Sequence, residues 1–276
     1  MKKSTNINNF SVLLSVYFKE KPEYLETALN SVFNQTIKPN EVVLVEDGKL
    51  TAELDKVISK FEKKYKSLKV VKFEQNRGLG IALHDGLLEC SNEIVFRMDT
   101  DDICNKTRFE KQIQIFEEKD VDIVGSNIVE YDESMKNITS YRVVPETDDE
   151  IKKRSKKRNP MNHVTVAYKK SAVIDAGNYQ DMLYFEDYYL WCRMIQKGCK
   201  FYNVQENLVN VRGGNDMIKR RGGKKYIKPI LNFENSIRKL GLINYFEFLV
   251  NIVERVIVSL IPNYARYSLY KKILRK

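Results

Sequence analysis

Four short apolar runs, each followed by a segment of helical periodicity, constrain this chain more than any other feature. Residues 10–17 (F-S-V-L-L-S-V-Y), 41–45 (E-V-V-L-V), 68–73 and 93–98 read as buried strands. Helices are expected between them. One opens at Pro22 and places Leu25, Ala28, Leu29, Val32 and Phe33 on one face; others span roughly 51–66 and 79–89. Strands alternating with helices over the first 120 residues predict an α/β fold: a mostly parallel central sheet with helices on both faces. Beyond residue 120 the pattern is less regular. Residues 121–131 and 138–144 look like strands of an antiparallel region, 164–168 like another strand, and 186–197 like a helix.

The strand at 93–98 runs into R-M-D-T-D-D, with Asp99, Asp101 and Asp102 inside four positions. Carboxylates so close repel one another and are costly to desolvate, so a fold holding them at a strand end calls for a cation. Hard divalent ions such as Mg2+ or Mn2+ take oxygen ligands and bridge to substrate phosphates. An acidic turn capping the next helix is the simpler alternative. Open α/β sheets bind ligands at the carboxyl ends of their strands, which is where these residues lie.

Other candidates fall on the same edge. The first strand ends at Ser15-Val16-Tyr17 and the second at Glu46-Asp47-Gly48. Asp47 suits a nucleobase imide or a ribose hydroxyl, and Tyr17 offers a ring or its backbone. Arg77, in N-R-G-L-G, suits a phosphate or an aspartate partner. No G-x-G-x-x-G is present, so the glycines do not make a dinucleotide fingerprint. His163, in N-P-M-N-H-V-T-V, reads equally as a hydrogen-bonded structural histidine or a substrate contact.

The net charge of +10 is unevenly placed. From residue 212 onward there are 15 Lys and Arg against 4 Asp and Glu, so the rest of the chain is near neutral. Residues 242–261 are apolar but interrupted by Glu247, Asn251, Glu254 and Arg255, which argues against a spanning helix. With the aromatic and basic residues after Pro262, this segment reads as an interfacial attachment to an anionic membrane surface; a helical hairpin packed on the core or in a dimer is the alternative. The basic run 152–158 reads as a solvated helix face or loop, with a binding patch as the other reading. Four cysteines without metal spacing suggest free thiols in a reducing cytoplasm. The first ten residues lack the apolar run of a signal peptide.

Taken together, V-L-L-S-V-Y, S-V-F-N-Q-T, E-V-V-L-V-E-D-G, N-R-G-L-G-I-A-L, R-M-D-T-D-D with R-F-E-K-Q, N-H-V-T-V, F-E-D-Y-Y-L-W-C-R-M and G-C-K-F cover residues 10 to 212. In number, order and spacing they resemble the family-2 inverting glycosyltransferases of the GT-A fold. The resemblance extends to the capsule, exopolysaccharide and O-antigen branch, with R-G-G-N-D-M-I-K-R-R-G-G and trailing apolar-basic helices. It implies a GT-A domain over 1–212, with 10–120 binding the nucleotide-sugar and 121–212 forming the acceptor side. Residues 213–276 would be a basic helical extension.

The resemblance also implies roles. Asp47 would bind the base, uracil by the family's default, with Ser15, Tyr17 and Glu46 beside it. Asp101 would hold the metal and Asp99 the ribose or sugar, with Asp102 an alternative ligand. Asp187 would be the general base, next to Glu186, and Trp191 would wall the acceptor pocket. Arg212, Arg220 and Arg221 would either close on the diphosphate or simply lead into the tail. The implied partners are a nucleotide-sugar and a lipid-linked saccharide at the inner face of a bacterial plasma membrane. Two other classes were weighed: a nucleotidyltransferase, which needs a Gly/Arg-rich triphosphate loop absent from residues 10–20, and a nucleic-acid-binding module built on the tail.

Overall fold

The structure, a computed structural model, describes residues 7, 9–213, 222–262, 264 and 266. In chain order the strands are β1 (Phe10–Val16), β2 (Glu41–Glu46), β3 (Leu68–Lys72), β4 (Ile94–Arg97), β5 (Ile103–Cys104), β6 (Ile123–Tyr131), β7 (Ile138–Arg142), β8 (Ala167–Lys169) and β9 (Phe201–Arg212). The helices are α1 (Pro22–Phe33), α2 (Ala52–Lys64), α3 (Leu79–Glu89), α4 (Arg108–Glu118), α5 (Asp148–Ser155), α6 (Lys170–Asp175), α7 (Glu186–Gln196), α8 (Ile227–Lys239) and α9 (Tyr245–Leu260).

One sheet runs in the order β3-β2-β1-β4-β8-β6-β9-β5, with β7 added on β6. The first four strands are parallel. The second half is mixed: β8 is antiparallel to β4 and β6, while β6 and β9 are parallel. β1 shows why its sequence is almost continuously apolar. Phe10, Val12, Leu14 and Val16 enter a cluster with Leu25, Leu29 and Phe109, while Leu13 enters the opposite cluster with Leu83, Leu87 and Leu190. Alternate side chains of a strand face opposite sides, so a strand covered on both faces needs apolar residues on both.

Helix α3 lies close on this sheet because of Gly86. A methyl group there would stand 2.6 Å from Cγ2 of Val45 and 2.7 Å from Cδ1 of Leu13. Alanine is the better helix former by about 1 kcal/mol, but overpacking of this kind costs about 1–3 kcal/mol. Gly86→Ala is therefore expected to lower stability in urea denaturation; an unchanged or raised midpoint would contradict this packing.

Two segments depart from the expectations. The strand expected at 164–168 is shorter: His163–Thr165 form a 3-10 turn and pairing starts only at Ala167. The turn is held by Thr165, whose hydroxyl donates to the Asn162 carbonyl (2.8 Å) and accepts from the Ser126 amide (2.9 Å). Strand β9, twelve residues long, was not expected. Its pairing with β6 shifts register on both sides of Asn127, and polar side chains such as Asn203 are buried within it. Asn203 is accommodated by donating to the Pro145 carbonyl at 2.6 Å.

The C-terminal helices pack on the sheet domain through α7. Ile230, Phe233 and Ile237 of α8 join Phe185, Tyr188 and Cys192. Helix α9 is joined to α8 by an ion pair between Arg255 and Glu234 (2.6 Å), where Glu234 is fully buried and also accepts from Asn251 (3.1 Å). No helix among the described residues is long and apolar enough to cross a membrane.

Candidate active site

The carboxyl ends of β1, β2 and β4 leave the sheet side by side. Val16 is the register partner of Glu46, and the Asp47 amide donates to the Val16 carbonyl at 2.8 Å. The Met98 amide donates to the Leu13 carbonyl at 3.0 Å, which brings Asp99–Asp102 next to Ser15. Ser15 is half-buried and Tyr17 is exposed, its ring edge-on to Phe18 at 5.8 Å.

Asp47 is buried and fastens the loop that opens α3. Its two carboxylate oxygens accept from the Arg77 amide (2.7 Å) and the Gly78 amide (3.0 Å). Gly48 follows with φ +87°, and a Cβ there would stand 2.6 Å from the Asn76 amide nitrogen. Both the left-handed backbone and the close approach require glycine at this turn. Each Asp47 oxygen keeps a second lone pair for a ligand donor. Two neighbours are already committed. Glu46 is buried against Lys72 (3.1 Å), with burial raising its carboxyl above the usual range. The Arg77 guanidinium pairs with Asp85 (2.9 Å) and lies over Phe73. Of the two partners expected for Arg77, the structure provides the aspartate.

Asp99, Asp101 and Asp102 bring one oxygen each within 4.8 Å of one another. Their surroundings differ. Asp99 is gripped through both oxygens by the guanidinium of Arg97, which is buried at the end of β4. Asp102 is buried and accepts from the Arg212 amide at 2.7 Å. Asp101 is half-buried; burial, with the charges of Asp99 and Glu20, pushes its carboxyl up to about 7. Burial and the neighbouring Asp101 and Asp99 push Asp102 well up too. Three hard oxygen donors, whose charge is opposed by burial and by one another, fit a divalent cation of the Mg2+ or Mn2+ type that would offset that charge.

Arg108 and Gln112 brace this strand end from below. The buried Arg108 donates to the carbonyls of Arg97 (2.8 Å) and Val166 (3.3 Å) and to Gln112 (2.9 Å). Sequence reasoning missed Arg97, Glu20 and this brace. Arg97 and the brace had a signal only in R-M-D-T-D-D and R-F-E-K-Q; Glu20, some eighty positions earlier, had none.

The first turn of α7 arrives at the same edge. A Cβ on Gly80, in the first turn of α3, would be 3.5 Å from Cβ of Glu186. Asp187 accepts from the Asn159 amide group at 2.6 Å. The side-chain oxygen of Asn159 accepts in turn from the Met161 amide (3.2 Å), so its NH2 must face Asp187. The Tyr179 hydroxyl feels the charges of both Arg97 and Asp187. His163 Nε2 is 3.0 Å from the Tyr179 hydroxyl, and burial, then the Arg97 charge, hold its imidazole well below the usual pKa. This neutral, hydrogen-bonded ring matches the structural alternative for His163.

Trp191 has no exposed surface. It packs with Leu190, Met194 and the His163 ring (6.0 Å) in the core, so the expected pocket-wall position is corrected: α7 turns this residue toward the sheet. Arg212 spans the site's margin. Its side chain donates to the Asp101 carbonyl (3.0 Å) and stacks on Tyr24 at 3.7 Å. Arg220 and Arg221 lie outside the described residues.

A half-parallel sheet with a carboxylate cluster at a strand end and a further carboxylate on a later helix is the arrangement expected of the GT-A fold. Residues 11–182 match the model of glycosyl transferase family 2, and the chain belongs to that family. It is 36% identical over 274 residues to the UDP-Gal:alpha-D-GlcNAc-diphosphoundecaprenol beta-1,3-galactosyltransferase of Escherichia coli, covering 99% of each chain. It is 38% identical over 264 residues to the amylovoran biosynthesis glycosyltransferase AmsE of Erwinia amylovora, covering 95% of this chain and 98% of that one. Among solved structures, S. aureus TarS 1–349 in complex with UDP-GlcNAc superposes with a TM-score of 0.67 at 19% identity, covering 90% of this chain and 72% of that one. The protein is a glycosyltransferase, and neither the nucleotidyltransferase nor the nucleic-acid reading is favoured.

Proposed function

We propose that this chain transfers a sugar from a UDP-sugar to a hydroxyl of a lipid-linked saccharide during assembly of a bacterial surface polysaccharide. The observation that carries this reading is that Asp47 and the Asp99–Asp102 cluster share one sheet edge, with the first turn of α7, which bears Asp187, packed against the first turn of α3. The two relatives support the substrate class, since one is named for a UDP-Gal donor and a diphosphoundecaprenol acceptor and the other for amylovoran synthesis. In this reading residues 1–212 carry the transfer and 213–276 the attachment.

Asp47 accepts the imide proton of the base, with Ser15 and Tyr17 lining that pocket. Asp101 is the principal metal ligand because Arg97 occupies Asp99 and the Arg212 amide occupies one oxygen of Asp102. Asp99, so held, faces the ribose or the sugar. These aspartates would hold a Mg2+ or Mn2+ ion, which would supply positive charge against the departing diphosphate. Asp187 takes the acceptor proton as the hydroxyl attacks, and a single displacement inverts the anomeric carbon. Asn159 fixes one oxygen of Asp187 and leaves the other for the acceptor. Turnover of a panel of UDP-sugars with a short-chain, diphosphate-linked saccharide tests the reading. Release of UDP that rises with acceptor and stops in chelator is expected; no turnover of any nucleotide-sugar would overturn it.

We further infer that α9 rests on an anionic bilayer at the inner face of the plasma membrane. The helix has its polar side inward, where Asn251, Arg255 and Ser259 lie, and an apolar stripe outward: Phe246, Leu249, Val253, Ile257 and Leu260 are all exposed. Outward apolar residues beside a strongly basic tail suit the boundary of headgroups and acyl chains. Removing residues from 242 onward would leave the Glu234 carboxylate buried without Arg255, so point changes are the better test. The double substitution V253E/I257E is expected to abolish flotation with phosphatidylglycerol vesicles while keeping the thermal midpoint. Unchanged flotation would rule out α9 as the attachment.

A further inference from the structure

The basic run at 152–158 is more constrained than a solvated face. Three side chains from neighbouring helices hold its backbone. Tyr188 donates to the Ser155 carbonyl (2.7 Å), Asn251 to that of Lys156 (2.8 Å) and Arg255 to that of Lys157 (2.9 Å). The carbonyls leaving α5 are thereby satisfied without help from the cationic side chains. Two lysines are neutralised, Lys152 by Asp148 (2.5 Å) and Lys156 by Glu247 (3.7 Å).

Arg154 and Arg158 are different. No carboxylate pairs with either of them among the described residues, and the buried Nε of Arg154 has no hydrogen-bond partner. They stand one helical turn apart in sequence and are close enough to repel: burial, then the Arg158 charge, hold the Arg154 guanidinium below its ordinary pKa. None of the three acids of α5 pairs with them, and Asp149 makes no ion pair among the described residues. Asp148 is shared between Lys152 and the Phe201 amide, and Glu150 closes the capping box with Thr147. Two adjacent guanidiniums without a counter-charge form a receptor for a doubly charged oxyanion, which each can grip through two N–H donors.

Their place in the fold selects the anion. The residue after Arg158 is Asn159, whose amide touches Asp187. Asp99, in contrast, is held by Arg97 of β4, and no hydrogen bond or ion pair links the aspartate cluster to the arginine pair among the described residues. The same turn is bonded to α9, which carries the exposed apolar stripe.

We propose that Arg154 and Arg158 bind the diphosphate of the lipid-linked acceptor and so hold its saccharide hydroxyl at Asp187. This rests on the reading of Asp187 as the base and of the acceptor as lipid-linked. The lipid chain leaves the arginine pair toward the membrane-facing side. A diphosphate-linked acceptor is thereby distinguished from a neutral glycoside of the same sugar.

The test is calorimetric titration of the full chain with farnesyl diphosphate, with the nucleotide site filled by UDP and Mg2+. Wild type should bind it, and the R154Q/R158Q double variant should bind at least about tenfold more weakly, since each charge-assisted contact is worth that much or more. Farnesol should bind neither protein comparably. Equal affinity in the double variant, no binding by wild type, or equal binding of farnesol would each overturn the proposal. Because Arg154 is half-buried, R158Q alone, at an exposed position, provides the same comparison if the double variant melts early. Flotation with phosphatidylglycerol vesicles separates the two anion sources. A double variant that loses flotation but keeps its farnesyl diphosphate affinity would assign the pair to bilayer headgroups and overturn the acceptor role. Binding requires no turnover, so failure of the transferase reading would show instead in the UDP-sugar panel, with this titration unaffected.

Discussion

Asp187→Asn is expected to reduce sugar transfer by at least about a hundredfold, the lower end of what a positioned general base contributes. Asparagine has the same volume and still presents an oxygen to the Asn159 amide, which donates to Asp187 at 2.6 Å. The first turn of α7 should therefore keep its geometry and lose only the basic oxygen. Donor binding, carried by Asp47 and the Asp99–Asp102 cluster on other elements, should survive, so UDP affinity is the control. The loss belongs in kcat rather than in the KM for the donor, because the proton moves only as the bond forms. Transfer near the wild-type rate would move the base to Glu186 or elsewhere.

Asp101→Asn is expected to abolish metal-dependent turnover and to change the response of stability to pH and metal. In the metal-free fold the Asp101 carboxyl is pushed up to about 7 from an ordinary 3.8, by burial first and then by Asp99 and Glu20. The sign follows from linkage. A raised carboxyl costs the fold nothing below about 3.8, an increasing amount as pH climbs toward 7, and its full amount above that. A divalent cation offsets this cost, so Mg2+ or Mn2+ should raise the thermal midpoint more at pH 8 than at pH 6. Without metal at pH 8 the Asn variant should melt above wild type, by about 2–4 °C for each kcal/mol of repulsion removed in a chain of this size. It should also lose most of the metal-induced rise. Equal metal stabilisation of the variant and wild type, or full wild-type activity in chelator, would exclude Asp101 as the principal ligand.

Much of the fold was legible because its signals are local. The parallel strands β1, β2 and β4 are apolar on both faces, and α3 runs over the expected residues, Leu79–Glu89. Side-chain periodicity within a dozen residues is enough to specify such elements. The carboxylate cluster was legible for the same reason, since three aspartates in four positions at a strand end are close in any fold. β9 was not legible: its polar residues are tolerated only because distant carbonyls, such as that of Pro145, accept from them.

The chain alone determined a sheet edge bearing Asp47 and Asp99–Asp102, and a later helix bearing Glu186 and Asp187. The tertiary structure decided how those residues are occupied. Arg97 claims Asp99, the Arg212 amide claims an oxygen of Asp102, and Asp85 claims the Arg77 guanidinium. Trp191, one turn beyond Asp187, faces the core because α7 packs that side on the sheet. The tail was ambiguous for a related reason. Its mixture of apolar and charged residues is compatible with core packing or a bilayer, and only the Arg255–Glu234 pair shows that the polar side of α9 turns inward. Identity and spacing carry the chemistry that a residue can perform. Which partner takes its charge or hydrogen bond depends on the folded backbone, whether that partner is two positions away, as Arg97 is from Asp99, or 110, as Arg212 is from Asp102.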